Sequence, residues 1–251
     1  MKAWQKIIKE QKGLMPPLFL LPDIPNEINI KTAIIRETDY ETAKKIILEY
    51  EWLGTIPPNC QHFFGIFFDN YCGGIVVYGD TTTQTIKESI AGKKNVSKVI
   101  QLQRGATVYW AHPHSASKLI SKSLQFIEKL GYRIVVAFAD PQAGEIGTVY
   151  QATNWLYCGL TEIRPDYFDE NGNRLTGHVG KIKDWMLKAD RPRKHRYIKI
   201  LGTKKEQKQC LSQLQWPILS YPKRAEDDSR ESCPDTIGEG GVRFPDSAIK
   251  P

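Results

Sequence analysis

Asp140-Pro-Gln-Ala-Gly-Glu-Ile-Gly-Thr-Val-Tyr150-Gln-Ala-Thr-Asn154-Trp155-Leu-Tyr157-Cys-Gly159 follows the apolar run Tyr132–Ala139, and this junction decides the fold. YRIVVAFA reads as a strand. It ends on a carboxylate, passes a loop broken by Gly144 and Gly147, and enters a short helix around Gly147–Leu156. Ligands of open α/β sheets gather outside the carboxyl ends of strands. A core helix has little use for Gln151, Asn154 and three aromatic residues in so short a span. The segment therefore marks both a strand end and one wall of a site.

Upstream, Ser117 opens a predicted helix, Lys118–Leu130, with Ile120, Leu124 and Ile127 in helical rhythm. Leu119, Phe126 and Leu130 widen that face, and Gly131 ends it. Val99–Tyr109 alternates like a strand around Arg104 and Gly105, and Gly105 is the expected place for a bulge. Phe63–Phe68 and Gly74–Tyr78 flank Asp69–Gly73, a hairpin signal. Ile28–Arg36 predicts a first strand, and Asp39–Glu51 a helix capped by Thr38.

Downstream, the Asn171-Gly172 turn separates expected strands near Leu160–Arg164 and Arg174–Val179. Tyr197–Ile200 predicts a last strand and Gln207–Leu214 a short helix. The pattern is α/β (α+β): a mixed central sheet flanked by helices, spanning residues 28–224. Residues 1–27 form an N-terminal helix, Met1–Lys12, and a Pro-rich connector. Residues 225–251 are polar, aperiodic and expected to be a disordered tail.

The 251 residues suffice for one large domain with extensions. No run is long enough to span a bilayer, and Leu14–Leu21 is too short and Pro-broken for a signal peptide. Five cysteines without paired spacing predict reduced thiols and a cytoplasmic location. The net charge of +7 is concentrated: between Lys181 and Lys208, eleven Lys and Arg residues oppose only Asp184, Asp190 and Glu206. Such clustering suits a polyanion, or simply a solvated basic face.

The element order, with Leu102-Gln103-Arg104, Ser115-Ala116-Ser117-Lys118-Leu119-Ile120, Asp140-Pro141, Gly144, Gly147–Trp155 and Lys194-His195-Arg196-Tyr197, resembles the bacteriophage Mom proteins. These are a divergent branch of the GNAT acetyltransferase superfamily, and the resemblance covers roughly Ile28–Arg224. It implies a splayed sheet and an acetyl-CoA or related acyl donor. It also implies transfer of a carbamoylmethyl (acetamido-type) group to the exocyclic amine of adenine in double-stranded DNA, protecting it from restriction. Its activity residues match Arg104, Ser117, Asp140 and Tyr150. The chain departs from the pattern in His112-Pro113-His114 and in lacking a glycine-rich phosphate loop.

The chemistry of these residues is consistent with such roles. A loop entering a helix N-terminus offers free amides and a positive dipole end to a pyrophosphate. Ser115, Ser117, Lys118 and Arg104 are the candidate cofactor contacts, with Ser117 also a plain N-cap. Asp140 is placed to take the amine proton, and Tyr150 to donate to a leaving group or to pack in the core. Asn154 can pair with an adenine edge, and Trp155 can stack on an extruded base or fill the core. Arg193, Lys194, His195 and Arg196 are candidates for phosphate contact. No histidine pair has zinc spacing, so no metal site is expected from the residues; the resemblance leaves an iron ion open. The alternative activity is conventional acyl-CoA N-acetylation of a small amine or protein.

Overall fold

The computed structural model describes residues 2–14, 24–25, 27–81, 84–172, 175, 183 and 185–223. In chain order the helices and strands are α1 (Trp4–Gly13), β1 (Ile34–Glu37), α2 (Tyr40–Tyr50), β2 (Cys60–Phe68), β3 (Tyr71–Gly79), α3 (Gln84–Ala91), β4 (Val99–Thr107), α4 (Ser115–Lys129), β5 (Ile134–Ala139), α5 (Thr148–Ala152), β6 (Leu156–Leu160), β7 (Pro165–Phe168), β8 (Leu187–Asp190), β9 (His195–Ile200) and α6 (Lys204–Gln213). Seven strands form one sheet in the order β1-β2-β3-β4-β5-β9-β6, and β7 and β8 form a separate ribbon.

Every pairing is antiparallel except β4 with β5. A parallel pair needs a crossover, and α4 supplies it. The two strands run together only from Val99–Leu102 against Ile134–Ala137. Beyond that point β4 stays with β3 as far as Thr107, and β5 stays with β9 as far as Ala139. The sheet therefore opens between Gln103 and Phe138, which is the splay that positions the site.

Both faces of the middle of the sheet are covered. Val135 and Ala137 belong to the larger core with Leu119, Ile120, Leu124 and Ile127 of α4. Ile134 and Val136 turn the other way, into a smaller cluster with Ile90, Cys158, Ile198 and Cys210. That explains why β5 reads as a continuous apolar run rather than an alternating one.

Local signals set the boundaries. The hairpin turn is Asp69-Asn70, with Asp69 at φ 53°, and β2 and β3 extend beyond the apolar runs on either side. The cap of α2 is Asp39, whose Oδ1 accepts from the Thr42 amide at 2.7 Å, so Thr38 does not cap it. α4 begins at Ser115 with His114 as N-cap. Ser117 is therefore inside the first turn, its hydroxyl donating to the His114 carbonyl at 3.0 Å. Thr203 and Glu206 form a capping box that starts α6 earlier than periodicity alone suggests.

The span 160–164 is mostly connection, since β6 ends at Leu160 and β7 begins at Pro165. β7 pairs with β8, which composition did not reveal. Of the strand expected at 174–179 only Leu175 is described, its amide donating to the Tyr167 carbonyl. The connector 15–23 and the tail from Arg224 lie outside the described residues. α1 packs on the domain: Trp4 meets Trp52 edge-on with centroids 5.2 Å apart, and Lys12 pairs with Glu49 at 2.7 Å. Among the described residues, no helix is long and apolar enough to cross a membrane.

Candidate functional site

Where β4 and β5 part, a cavity of about 150 Å³ opens. Its walls come from six segments: Gln5 of α1, Glu51–Leu53 after α2, Gln101–Gly105 of β4, Phe138 and Asp140 at the end of β5, Ala143, Glu145 and Tyr150 beyond it, and Lys194 before β9. Arg104, Asp140 and Tyr150 are thus brought together from distant parts of the chain.

A register slip aims the β4 wall. Val77 pairs with Arg104 while Tyr78 pairs with Leu102, so Gln103 is the extra residue. The bulge is at Gln103 and not at Gly105, which pairs regularly with Val76. Bulges re-aim neighbouring side chains. Gln103 donates to the Asp80 carbonyl at 2.7 Å and to Asn59 Oδ1 at 3.0 Å. Arg104 donates through Nε to the Thr55 carbonyl at 2.8 Å and lies 3.7 Å from Glu51 Oε2. Glu51 also accepts from the amides of Leu53 and Gly54 at 2.8 and 3.1 Å. Burial raises its carboxyl pKa, against the pull of Arg104 and those amides.

Asp140 stands at the carboxyl end of β5. Oδ1 accepts from the Gln142 amide at 3.0 Å, and Oδ2 is 2.8 Å from Lys194 Nζ. Lys194, expected to follow phosphates, instead turns into the cavity as the partner of Asp140. Among the described residues Glu145 has no such partner. Burial first, then the charges of Glu51 and Asp140, push its carboxyl up to about 7. Tyr150 is wedged between Trp155 and Tyr197, with centroids 5.0 and 5.2 Å away. Burial raises its hydroxyl far above the usual phenol range. At neutral pH it is therefore a hydrogen-bond donor and not a base.

The remaining expected contacts sit elsewhere. Ser115, Ser117 and Lys118 do not line the cavity. Lys118 Nζ donates to the carbonyls of Ile30, Lys31 and Ala33, fastening α4 to the segment before β1. That use corrects its reading as a phosphate ligand. Lys118→Met is expected to lower stability by about 2 kcal/mol, because part-buried carbonyls lose a charged donor, which thermal melts check.

Trp155 is 0% exposed and belongs to the core, so it cannot stack on an extruded base. Asn154 is exposed and holds φ 57°, a left-handed position just after α5. Much of the basic run is engaged within the fold. Arg193 Nε donates to the Thr161 carbonyl, and Lys199 Nζ to the carbonyls of Thr153 and Asn154. His195 Nδ1 is 3.0 Å from the Tyr157 hydroxyl, and the Arg196 guanidinium lies 4.3 Å over the Trp216 ring. Cys158 lies in the smaller core, where burial raises its thiol to about 11, unsuited to nucleophilic attack. Sequence reading missed Glu51, Glu145, Gln103 and Gln5. Glu145 carried a signal, since it stands in the strand-end loop already singled out, and Gln103 lies in the Leu102-Gln103-Arg104 motif without having been given a role.

A coenzyme A-type donor can be tested against the chain's own groups. α4 runs fifteen residues and has no side-chain cap at its N-terminus; the Ser115 amide donates to the His112 carbonyl at 2.8 Å, which leaves the amides of Ala116 and Ser117 for an outside acceptor. The Ser115 hydroxyl there is fully buried without a partner among the described residues. An oxyanion such as a pyrophosphate fits that end through backbone amides rather than through Lys118. No cluster of three His, Cys, Asp or Glu side chains among the described residues is placed to hold a metal ion.

The structure thus has the mixed sheet opened at one parallel pair, the crossover helix and the charged cavity in the opening that the sequence led one to expect. A model of the Mom protein family matches residues 32–223, and the chain belongs to that family. No curated protein matches the chain. Among solved structures it is similar to an N-acetyltransferase from Staphylococcus aureus Mu50, at 15% identity over 68% of this chain and 99% of that one, TM-score 0.42. A Bacillus subtilis acetyltransferase in complex with CoA is similar at 10% identity over 68% and 99%, TM-score 0.42. A GNAT family acetyltransferase from Elizabethkingia anophelis with acetyl-CoA bound is similar at 11% over 67% and 98%, TM-score 0.41.

Proposed function

We propose that this protein transfers a carbamoylmethyl group to the exocyclic amine of adenine in double-stranded DNA, drawing on an acyl-coenzyme A-type donor. The observation that carries the reading is the meeting of Arg104, Asp140 and Tyr150 in one cavity at the sheet opening. These are three of the four positions that match the activity residues of the family. The fourth, Ser117, stands in the first turn of α4, on the side where a donor's phosphates would be held.

The amine of adenine is a weak nucleophile because its lone pair is delocalised, and bond formation leaves a proton to be removed. A cavity rich in carboxylates suits that need. Arg104 and the Tyr150 hydroxyl offer donors to charge that develops on the transferred group. A paired base must leave the stack to reach such a cavity, at a cost of a few kcal/mol. The donor, when bound, supplies the transferred carbon and its leaving group. An acetyl thioester lacks the amide nitrogen of the product, so nucleoside mass distinguishes a carbamoylmethyl from an acetyl addition.

One observation favours a second reading. Lys194, Arg193 and Lys199 are occupied within the fold, which reduces the charge free for DNA and leaves N-acetylation of a small amine or protein open. Mass spectrometry of nucleosides from plasmid DNA of expressing cells tests both. The first reading requires an adenine adduct containing one added nitrogen, absent in an Arg104→Ala control. Unmodified DNA together with coenzyme A release on a small amine would overturn it in favour of the second.

A further inference from the structure

The cavity holds three carboxylates, and two of them are already neutralised. Glu51 has Arg104 and two backbone amides, and Asp140 has Lys194 and the Gln142 amide. The third, Glu145, has no ion pair or hydrogen bond to its carboxylate among the described residues, while it lines the same cavity as Tyr150. Its loop is fixed from both ends. The Glu145 amide donates to the Asp140 carbonyl at 3.2 Å, and Gly144, at φ 66°, lets the backbone of Lys2 and Ala3 pass close by.

We infer that Glu145, and not Asp140, is the group that takes the proton from the attacking amine. This rests on the proposed function and deepens it. Both Asp140 oxygens are occupied, Oδ2 by Lys194 Nζ at 2.8 Å and Oδ1 by the Gln142 amide at 3.0 Å, so neither stands open to an approaching N–H. Glu145 has no such partner on its oxygens among the described residues. The groups facing it are Glu51, Asp140, Arg104, Lys194 and Tyr150, and the two nearby anions together with burial keep its affinity for a proton near neutrality. In the step itself, the N6 lone pair forms the bond to the donor's electrophilic carbon. For a carbamoylmethyl product that carbon is the methylene; its bond to the donor's leaving group breaks, the electron pair departs with that group, and the N6 proton passes to the Glu145 carboxylate. Asp140 then serves as a positioning residue that orients Lys194 and adds to the field on Glu145.

The test compares Glu145→Gln with the wild type in single-turnover modification of a plasmid, read as modified adenine per unit time across pH. The wild-type rate is expected to rise through a limb near pH 7. Glu145→Gln is expected to lose about 100-fold or more and to lose that limb, and Glu145→Asp to restore part of both. Replacing a buried charge by an amide leaves folding intact, which a melt at least as high as that of the wild type verifies. A Glu145→Gln protein that modifies DNA at the full rate with the limb in place overturns the assignment alone. A wild type that yields no modified adenine overturns the proposed function along with it.

Discussion

Asp140→Asn is expected to reduce adenine modification at least about 100-fold while DNA binding changes little. The carboxylate sits 2.8 Å from Lys194 Nζ and accepts the Gln142 amide, so it fixes a cation and a loop at once. Asparagine keeps the shape and the amide acceptor but releases the ammonium. Lys194 then loses its counter-charge inside a cavity that also contains Arg104. The second consequence is electrostatic. The Asp140 charge is one of the causes holding the Glu145 carboxyl near 7, so its removal lowers that pKa. Residual activity should therefore show its pH limb displaced toward acid. A rate loss without displacement would mean that the two carboxyls do not sense each other, contrary to the described geometry. Tyr150→Phe should cost less than Asp140→Asn, because a hydroxyl so far above the usual phenol range supplies a hydrogen bond and not a proton.

The same site shows what can be read from a linear sequence. Asp140 and Tyr150 were legible because a continuous apolar strand, a carboxylate and an aromatic helix lie within one short span. Arg104 was legible as a charge in an alternating strand, although the bulge that aims it sits at Gln103 and depends on pairing with β3. Glu51 and Lys194 were not legible as cavity residues. One follows a helix and the other sits in a basic run, and only the sheet order β4-β5-β9 brings them face to face. The basic run was legible only as a count of charges, which says nothing of their partners within the fold: Lys199 reaches two carbonyls at the end of α5, and Arg196 lies over Trp216. Trp155 was ambiguous for a different reason. An aromatic beside a site in sequence is equally the natural plug behind it, and at 0% exposure it backs Tyr150. α1 lies before the stretch that matches the family, yet it contributes Gln5 to the wall. No local pattern could have announced that contact.

Gly147→Ala should be a strongly damaging small change. Gly147 is the N-cap of α5 at φ 80°, a conformation that costs an L-residue roughly 1–2 kcal/mol. An added Cβ would also stand 2.7 Å from Tyr197 Cζ, so the ring must shift. That ring has little freedom to move. Its hydroxyl donates to the Ile146 carbonyl and accepts from Gln151 Nε2 at 3.1 Å, and its face packs on Tyr150 and Tyr157. Overpacking of this kind adds roughly 1–3 kcal/mol, for a total of about 3 kcal/mol, or roughly 10 °C in Tm. Gly131→Ala is the matching control, since Gly131 also has a positive φ, 96°, but nothing stands within 4 Å of the new methyl. Its loss should be confined to the backbone term. Thermal melts of the two variants therefore isolate the cost of moving Tyr197, and equal melts would contradict the packing of that ring. Because Tyr197 supports Tyr150 directly, Gly147→Ala should also lose modification at temperatures where the protein is still fully folded. Gly131→Ala, remote from the cavity walls, should retain it.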